Sequence, residues 1–444
     1  MHQTGLRTRF LLPTDWLVIC GIICAMDSDL KAGGIFLATK LYNIIPRART
    51  DISAESVGEH IIVDFSGSRG PTRLSQNAAI ILSLCNGQTT ISSILAHLSD
   101  LFQIEQEQIR EDLVGSLSHL RGQRLITLCG AAYPETETPS FYQPNTYHSN
   151  KSNIITEILQ ARGMREAEED EIAEISMWLD SRRPLRIAKY QAYEVYQTRS
   201  FAAKSTLCEQ ILAAGHSDII PETYTSLEAF LNRQGKDGEL WFYKLDRSTV
   251  GRYVYCYRSD AELEQQARHF NHQGLVIQKG ITDPVLIDGR KTVFRVYVVL
   301  IGSDRVYLHE EALAIVYAAR FDADSLDRNV QIHASHPEYF SSDDLPVYLD
   351  ALTLLIERVR NAFNAVDDRL DAACDPYRYQ LFGLDIIFSE SDGPLIIEIN
   401  TWPDTSERKH SVNPATHRAI KRRVFSDMFN LVLDQEPGRF IDIS

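Results

Sequence analysis

Toward its C-terminal end the chain reads Phe382-Gly383-Leu384-Asp385-Ile386-Ile387-Phe388, then a short polar turn, then Leu395-Ile396-Ile397-Glu398-Ile399-Asn400-Thr401-Trp402-Pro403. Extended backbone alternates its side chains, so Asp385 lies on one apolar strand and Glu398 and Asn400 share a face of the next. Three oxygen-bearing side chains then meet where two strands run side by side, a donor set suited to a hard cation carrying nucleotide phosphate. The plain alternative is a hairpin with polar residues on a wet face. Cations stand upstream. Lys244 ends the apolar run Glu239-Leu-Trp-Phe-Tyr-Lys244, ahead of a Ser/Thr/Gly segment that includes Gly251. That combination can hold phosphate by charge and by backbone N–H groups, although a strand-end lysine is also an ordinary solvated edge residue. Lys291 and Arg295 are four apart and share a face of an extended segment. Two fixed cations aimed at one space suit a transferring phosphoryl group or an acyl phosphate. His309, His333 and His336 match no usual zinc spacing.

The elements that must position these groups alternate strand and helix through the second half, the pattern of an α/β domain. Strands are expected at 239–244, 253–256, 275–279 and from 291 onward. The first unit, residues 35–130, differs. It reads as a strand over 60–65, a turn at 66–71, a short strand over 72–74 and three helices. Ser75 caps the first helix (76–84), Asn86-Gly87 ends it, and Thr89 or Thr90 caps the second, with Ile91, Ile94, Leu95 and Leu98 on one face. The third runs from 105 to about 120, with acids early and arginines late. The result is a small winged-helix-like module. Residues 131–150, rich in Pro, Thr and Glu, read as a linker, and 166–180 as an acidic helix with a solvated face.

At 444 residues the chain exceeds one ordinary core. Its net charge of -15 argues against a nucleic-acid partner, which needs clustered Lys and Arg. Seven cysteines with no Cys-x-x-Cys pair suit a reducing, cytoplasmic setting. Residues 1–34 are expected to be a disordered or mis-annotated leader. Arg7 and Arg9 precede an apolar run from Trp16 to Met26 that is too short to span a bilayer, so no stable membrane insertion is expected, and Met26 reads as a plausible true start.

Two resemblances follow from these residues. The run Leu74-Ser-Gln-Asn-Ala-Ala-Ile-Ile-Leu-Ser-Leu-Cys-Asn-Gly-Gln-Thr-Thr and the helix end from Asp112 to Ile126 resemble the PqqD-like family. That likeness implies that residues 35–130 bind the leader of a ribosomally made precursor peptide by strand addition. Gln278-Lys279, Pro284-Val-Leu-Ile-Asp-Gly-Arg-Lys291, Arg295-Val-Tyr-Val, Gly383-x-Asp385 and Glu398-Ile-Asn400-x-x-Pro403 resemble the tubulin-tyrosine-ligase-like branch of the ATP-grasp superfamily. Ser200-Phe-Ala-Ala-Lys204 and Ile219-Ile-Pro-Glu-Thr-Tyr224 fit its entry segment. The resemblance implies an α/β (α+β) ATP-grasp fold with subdomains at 151–235, 236–280 and 281–444. It implies that Lys204, Lys244 and the Gly251 segment bind the phosphates of ATP, and that Gln278 and Lys279 meet the adenine. Lys291 and Arg295 would face the γ-phosphate and an acyl intermediate, and Asp385, Glu398 and Asn400 would hold Mg2+, two ions in all. Where that family places an acid between the Lys and the Arg, this chain has Val293. Ile315 stands where an Arg is usual, with Arg320 the nearest arginine, and Ser335-His336 replaces a Thr-Asn pair. The implied activity is ATP-dependent carboxylate-amine ligation on a leader-bearing peptide, with a small amino acid or amine as possible acceptor. A peptide kinase and a non-catalytic precursor-binding scaffold are the alternatives.

Overall fold

The computed structural model describes residues 44–48, 52–57, 60–65, 71–123, 125–130, 138–142, 153–167, 173–177, 188–193, 198–234, 238–246, 253–270, 274–332, 336–366, 378–401, 403 and 412–444. Gly251, His333, Ser335 and the whole of 1–34 lie outside them.

The architecture follows from the two faces of one strand. Arg290–Ile301 lies between Leu313–Arg320 and Arg378–Ser389, and the latter turns back through a hairpin into Gly393–Asn400. Along this strand Phe294, Val296, Val298 and Leu300 point to one core, shared with Leu207 and Ile211 of helix Lys204–Ala213 and with Leu355, Val359 and Phe363 of helix Pro346–Ala365. The alternate residues Tyr297, Val299 and Ile301 point to a second core. Helix Asn153–Ala161 covers it with Ile155 and Leu159, and helix Pro414–Phe429 with Val424, Phe425 and Met428. A sheet coated by helices on both faces is what period-2 alternation of two apolar sets demands. On the second face the alternation continues past Tyr297 to Arg295 and Val293, and the register shifts just beyond, at Lys291. Chemistry therefore begins where that core stops.

A smaller four-stranded sheet places Leu275–Lys279 between Thr223–Tyr224 and Trp241–Leu245, with Val254–Tyr257 outermost. Its core joins Trp241, Tyr243 and Ile277 to Phe230, Leu263 and Ala267. Thr223–Tyr224 and helix Leu227–Leu231 thus pack with the sheet expected to begin at 236.

The first unit pairs Ile52–Val57, His60–Phe65 and Thr72–Ser75 as an antiparallel sheet, and separately Ile44–Ala48 with Ile126–Gly130. Ser75 caps helix Gln76–Leu84 and Thr90 caps helix Ile91–Phe102, each accepting a hydrogen bond from a backbone N–H three residues on. Helix Gln106–Gly122 closes a core of Ile94, Leu95, Leu113 and Leu117.

Two sequence expectations need correction. Within the segment read as a linker, Ser140–Tyr142 is a fully buried strand of the large sheet, parallel to Ala173–Ser176. The acidic helix expected over 166–180 is absent among its described residues, where Arg165–Glu166 and Ala173–Ser176 are strands. Ala173, Ile175 and Met177 are buried, and pairing of Ala173–Ser176 with Ala188–Ala192 places these positions in the sheet. Among the described residues no helix is long and apolar enough to cross a membrane.

Leu117 is fully enclosed in the core of the first unit, so Leu117→Ala should cost about 2–5 kcal/mol there. Segment-resolved hydrogen exchange should show helix Gln106–Gly122 opening faster while Arg378–Ser389 exchanges as before.

Candidate active site

Three neighbouring strands place Arg295, Asp385 and Glu398 directly opposite one another, so their side chains form one row across the sheet. Arg295 grips Asp385 with two hydrogen bonds, Nε to Oδ1 at 2.6 Å and Nη2 to Oδ2 at 3.0 Å. Glu398 receives Lys204 Nζ at 3.3 Å and the Asn400 amide Nδ2 at 3.1 Å. The register slips just past this row: Asp385 pairs with Glu398 but Ile386 pairs with Ile396, leaving Ile397 as an extra residue. The bulge re-aims the strand, so that Ile396 and Ile399 both enter the apolar core while Glu398 and Asn400 stay on the site face. Gly383 has a steric reason to lack a side chain. A Cβ there would stand 2.7 Å from Pro403 Cβ and 2.9 Å from Arg295 Cδ, so the arginine stem occupies that space.

The cations are buried and close enough to act on one another. Burial, partly offset by Glu398, pushes Lys244 down to about 8. Burial and then the charge of Lys244 push Lys291 down to about 8 as well. Lys291 Nζ donates to the Gln331 carbonyl oxygen at 2.9 Å and lies over the rings of Phe242 and Tyr317. Burial and the neighbouring Glu398 charge push Asp385 above the ordinary carboxylate range, against the pull of Arg295. Glu398 is held low despite burial, chiefly by Lys204. Two adjacent carboxylates that strain against joint ionisation, with an amide oxygen two residues on, form a hard-oxygen set that fits Mg2+. Among the described residues no group of three or more His, Cys, Asp and Glu is placed to hold a metal ion; an ion at this site would rest on Asp385, Glu398 and Asn400.

Of the residues singled out in the sequence, Lys204, Lys244, Lys291, Arg295, Asp385, Glu398 and Asn400 come together. Gln278 is buried, accepting from Lys244 Nζ and donating to Thr223 Oγ1, so it orients Lys244. Lys279 pairs with Glu239 at 2.8 Å and Glu222 at 3.5 Å. His309 is buried between the Glu311 carbonyl oxygen and Asp427, a structural lock.

Sequence reasoning missed three contributors. Tyr317 is enclosed beside the site, its hydroxyl pushed up by burial and then by Asp385 and Glu398. Gln331 holds Lys291 through its backbone, which no residue type announces. Asp246 accepts from both the backbone N and the Oγ of Ser205, at 2.8 and 3.0 Å, and so fixes the start of the helix that carries Lys204. Its position two residues past Lys244 is the signal that could have found it.

These features coincide with what comparison with known proteins finds. Residues 189–335 and 350–439 match the Tubulin-tyrosine ligase family, and the chain belongs to it. Residues 59–126 match Coenzyme PQQ synthesis protein D (PqqD), over the first unit described above. Tubulin polyglutamylase TTLL5 of Mus musculus is 24% identical over 342 residues, covering 65% of this chain and 25% of that protein. The Homo sapiens protein of the same name is also 24% identical over 342 residues, with 65% of this chain and 26% of its own length covered. A probable tubulin polyglutamylase, ttll-9, of Caenorhabditis elegans is 23% identical over 249 residues, covering 50% of this chain and 58% of the relative. The chain thus spans about a quarter of the length of the mouse and human relatives.

The two depressed lysines should make any phosphate binding at this site pH-dependent. Below about 8 both are already charged, so their contribution is flat there. Above it each must take up a proton on binding phosphate, at roughly a tenfold loss per pH unit per lysine. Titration of the full chain with Mg2+ and a non-hydrolysable ATP analogue should show weakening between pH 8 and 9.5 and little change between 6.5 and 7.5. Separately, Arg295→Leu would leave buried Asp385 without its partner and should destabilise the chain by about 3–5 kcal/mol, measured by chemical denaturation.

Proposed function

We propose that this chain is an ATP- and Mg2+-dependent carboxylate-amine ligase acting on a ribosomally made peptide whose leader docks on the PqqD-like unit. The observation that carries the reading is the Arg295–Asp385–Glu398 row, with Lys204 on its far carboxylate and Lys244 and Lys291 nearby. Lys204 and Lys244 supply charge for the phosphate chain. Lys291, steadied by Gln331, and Arg295, steadied by Asp385, face the space where a substrate carboxylate meets the terminal phosphate. Cations fixed in advance stabilise charge that grows during transfer at little reorganisation cost. Mg2+, when bound by Asp385, Glu398 and Asn400, adds charge neutralisation on the phosphates.

Attack of the carboxylate on the terminal phosphate gives an acyl phosphate and ADP. An amine then forms the amide bond and releases phosphate. Docking the leader on the first unit raises the local concentration of the modified segment without any new contact at the active site. The outer strands of the three-stranded sheet, Ile52–Val57 and Thr72–Ser75, offer the backbone for strand addition.

With a leader-bearing precursor peptide, Mg2+ and ATP, the expected products are ADP, phosphate and an amide-bearing peptide. A stably phosphorylated peptide would point to a kinase instead. Glu398→Gln should lower turnover by about a hundredfold or more while the fold persists, and unchanged modification by that variant would favour a binding scaffold. Removing residues 35–130 should abolish the advantage of leader-bearing over leaderless peptide.

A further inference from the structure

Val254–Tyr257 is the outer strand of the smaller sheet, paired on its inner side with Trp241–Leu245. An outer edge invites something to dock on it. Here the segment that follows strand Leu313–Arg320 does so. Arg328 Nη1 donates to the Val254 carbonyl oxygen, and its guanidinium lies 5.9 Å from the Tyr255 ring centre. Cys256 Sγ donates to the Leu326 carbonyl oxygen at 3.4 Å. Arg258, just past the strand, donates through Nη2 to the Ala323 carbonyl oxygen and pairs with Asp324 at 3.2 Å. Side chains and backbone of the smaller sheet thus meet residues 323–328 point by point.

The same segment reaches Lys291. Asp327 caps the short helix Arg328–Gln331, accepting from the Asn329 backbone N at 2.8 Å. Gln331 Nε2 donates to the carbonyl oxygens of Asp322 and Ser325, each at 3.0 Å, and so folds the segment back on itself. The Gln331 carbonyl oxygen in turn accepts from Lys291 Nζ. Gln331 is buried whereas Leu326 and Arg328 are exposed, so the segment has an anchored end and an open one. Phe242, directly opposite Cys256 in the smaller sheet, faces the same ammonium at 5.5 Å, and Tyr317 of the large sheet faces it at 5.9 Å. The Lys291 ammonium takes its position from both sheets and from the segment that joins them.

Resting on the nucleotide site of the ligase reading above, we infer that residues 322–331 are a strap that fastens the smaller sheet over the large one and makes the placement of Lys291 depend on that seating. Arg328 is its positioning residue, acting on Lys291 through Gln331. The contacts at the open end are polar and largely exposed, and such contacts are individually weak. The strap can therefore release and refasten without unfolding either core. A nucleotide held between Lys244 and Lys291 favours the fastened state, and by linkage the fastened strap favours the nucleotide by the same factor. Arginine suits the task because its planar fork reaches a carbonyl oxygen while the guanidinium rests near an aromatic ring.

Cys256 reports the state of the strap. Its thiol is partly buried and burial pushes it up, so alkylation is slow until water reaches it. In the full chain, iodoacetamide labelling of Cys256, followed by peptide mass spectrometry, should slow about fivefold or more when Mg2+ and a non-hydrolysable ATP analogue are added. Arg328→Ala should speed labelling in the absence of nucleotide and weaken analogue binding about tenfold by calorimetry, with thermal melting unchanged. Arg328→Lys, which keeps a donor for the Val254 carbonyl oxygen, should recover part of both effects. Arg258→Ala should act in the same direction through a different contact. Unchanged labelling and affinity in Arg328→Ala overturns the inference, and so does weaker binding with Cys256 labelling unchanged. Failure of the analogue to bind the unaltered protein with Mg2+ sinks the ligase reading and this inference with it, whereas an analogue that binds the unaltered protein and Arg328→Ala equally well sinks the inference alone.

Discussion

The bidentate pairing of Arg295 with Asp385 is the interaction on which the rest of this structure depends. Neither charge could remain in so enclosed a place without the other, and each is held in reach by strand register. Register is in turn enforced by the opposite face, where Phe294, Val296, Leu384 and Ile386 fill the core beneath Pro346–Ala365. A slip of one residue would turn those apolar side chains into the site and the ion pair into the core. The polar row and the hydrophobic core are therefore two consequences of a single register.

The bulge at Ile397 is a local exception to that alternation, and it serves the site. It lets the last strand give Ile396 and Ile399 to the core while Glu398 and Asn400 remain beside Asp385. Gly383 is the matching concession on the neighbouring strand, leaving room for the arginine stem. Charge is concentrated by the same enclosure. Lys244 and Lys291 are buried enough to sit near the edge of deprotonation, a state that phosphate would relieve and that the second sheet, carrying Lys244, brings over the first.

Much of the site was legible along the chain because strand alternation is a local property. Asp385, Glu398, Asn400, Lys291 and Arg295 could be assigned to shared faces from spacing alone, and the caps at Ser75 and Thr90 from residue type. The helix read over 166–180 fails at its described residues, where Ala173, Ile175 and Met177 obey the sheet. Gln278 was legible as part of strand Leu275–Lys279, but that its amide meets Lys244 and Thr223 depends on which neighbours arrive from elsewhere.

By itself the sequence determined which residues can do chemistry and on which face each must lie, because period-2 alternation and capping act over a few residues. Tertiary structure alone decided which faces meet. The pairing of Val293 with Ile315, the grip of Gln331 on Lys291, the hold of Asp246 on the helix of Lys204 and the row of Arg295, Asp385 and Glu398 all join separate segments, up to 90 residues apart for Arg295 and Asp385. Such contacts depend on sheet order and on local register shifts, and both are settled by how two hydrophobic cores pack on opposite sides of the same strands.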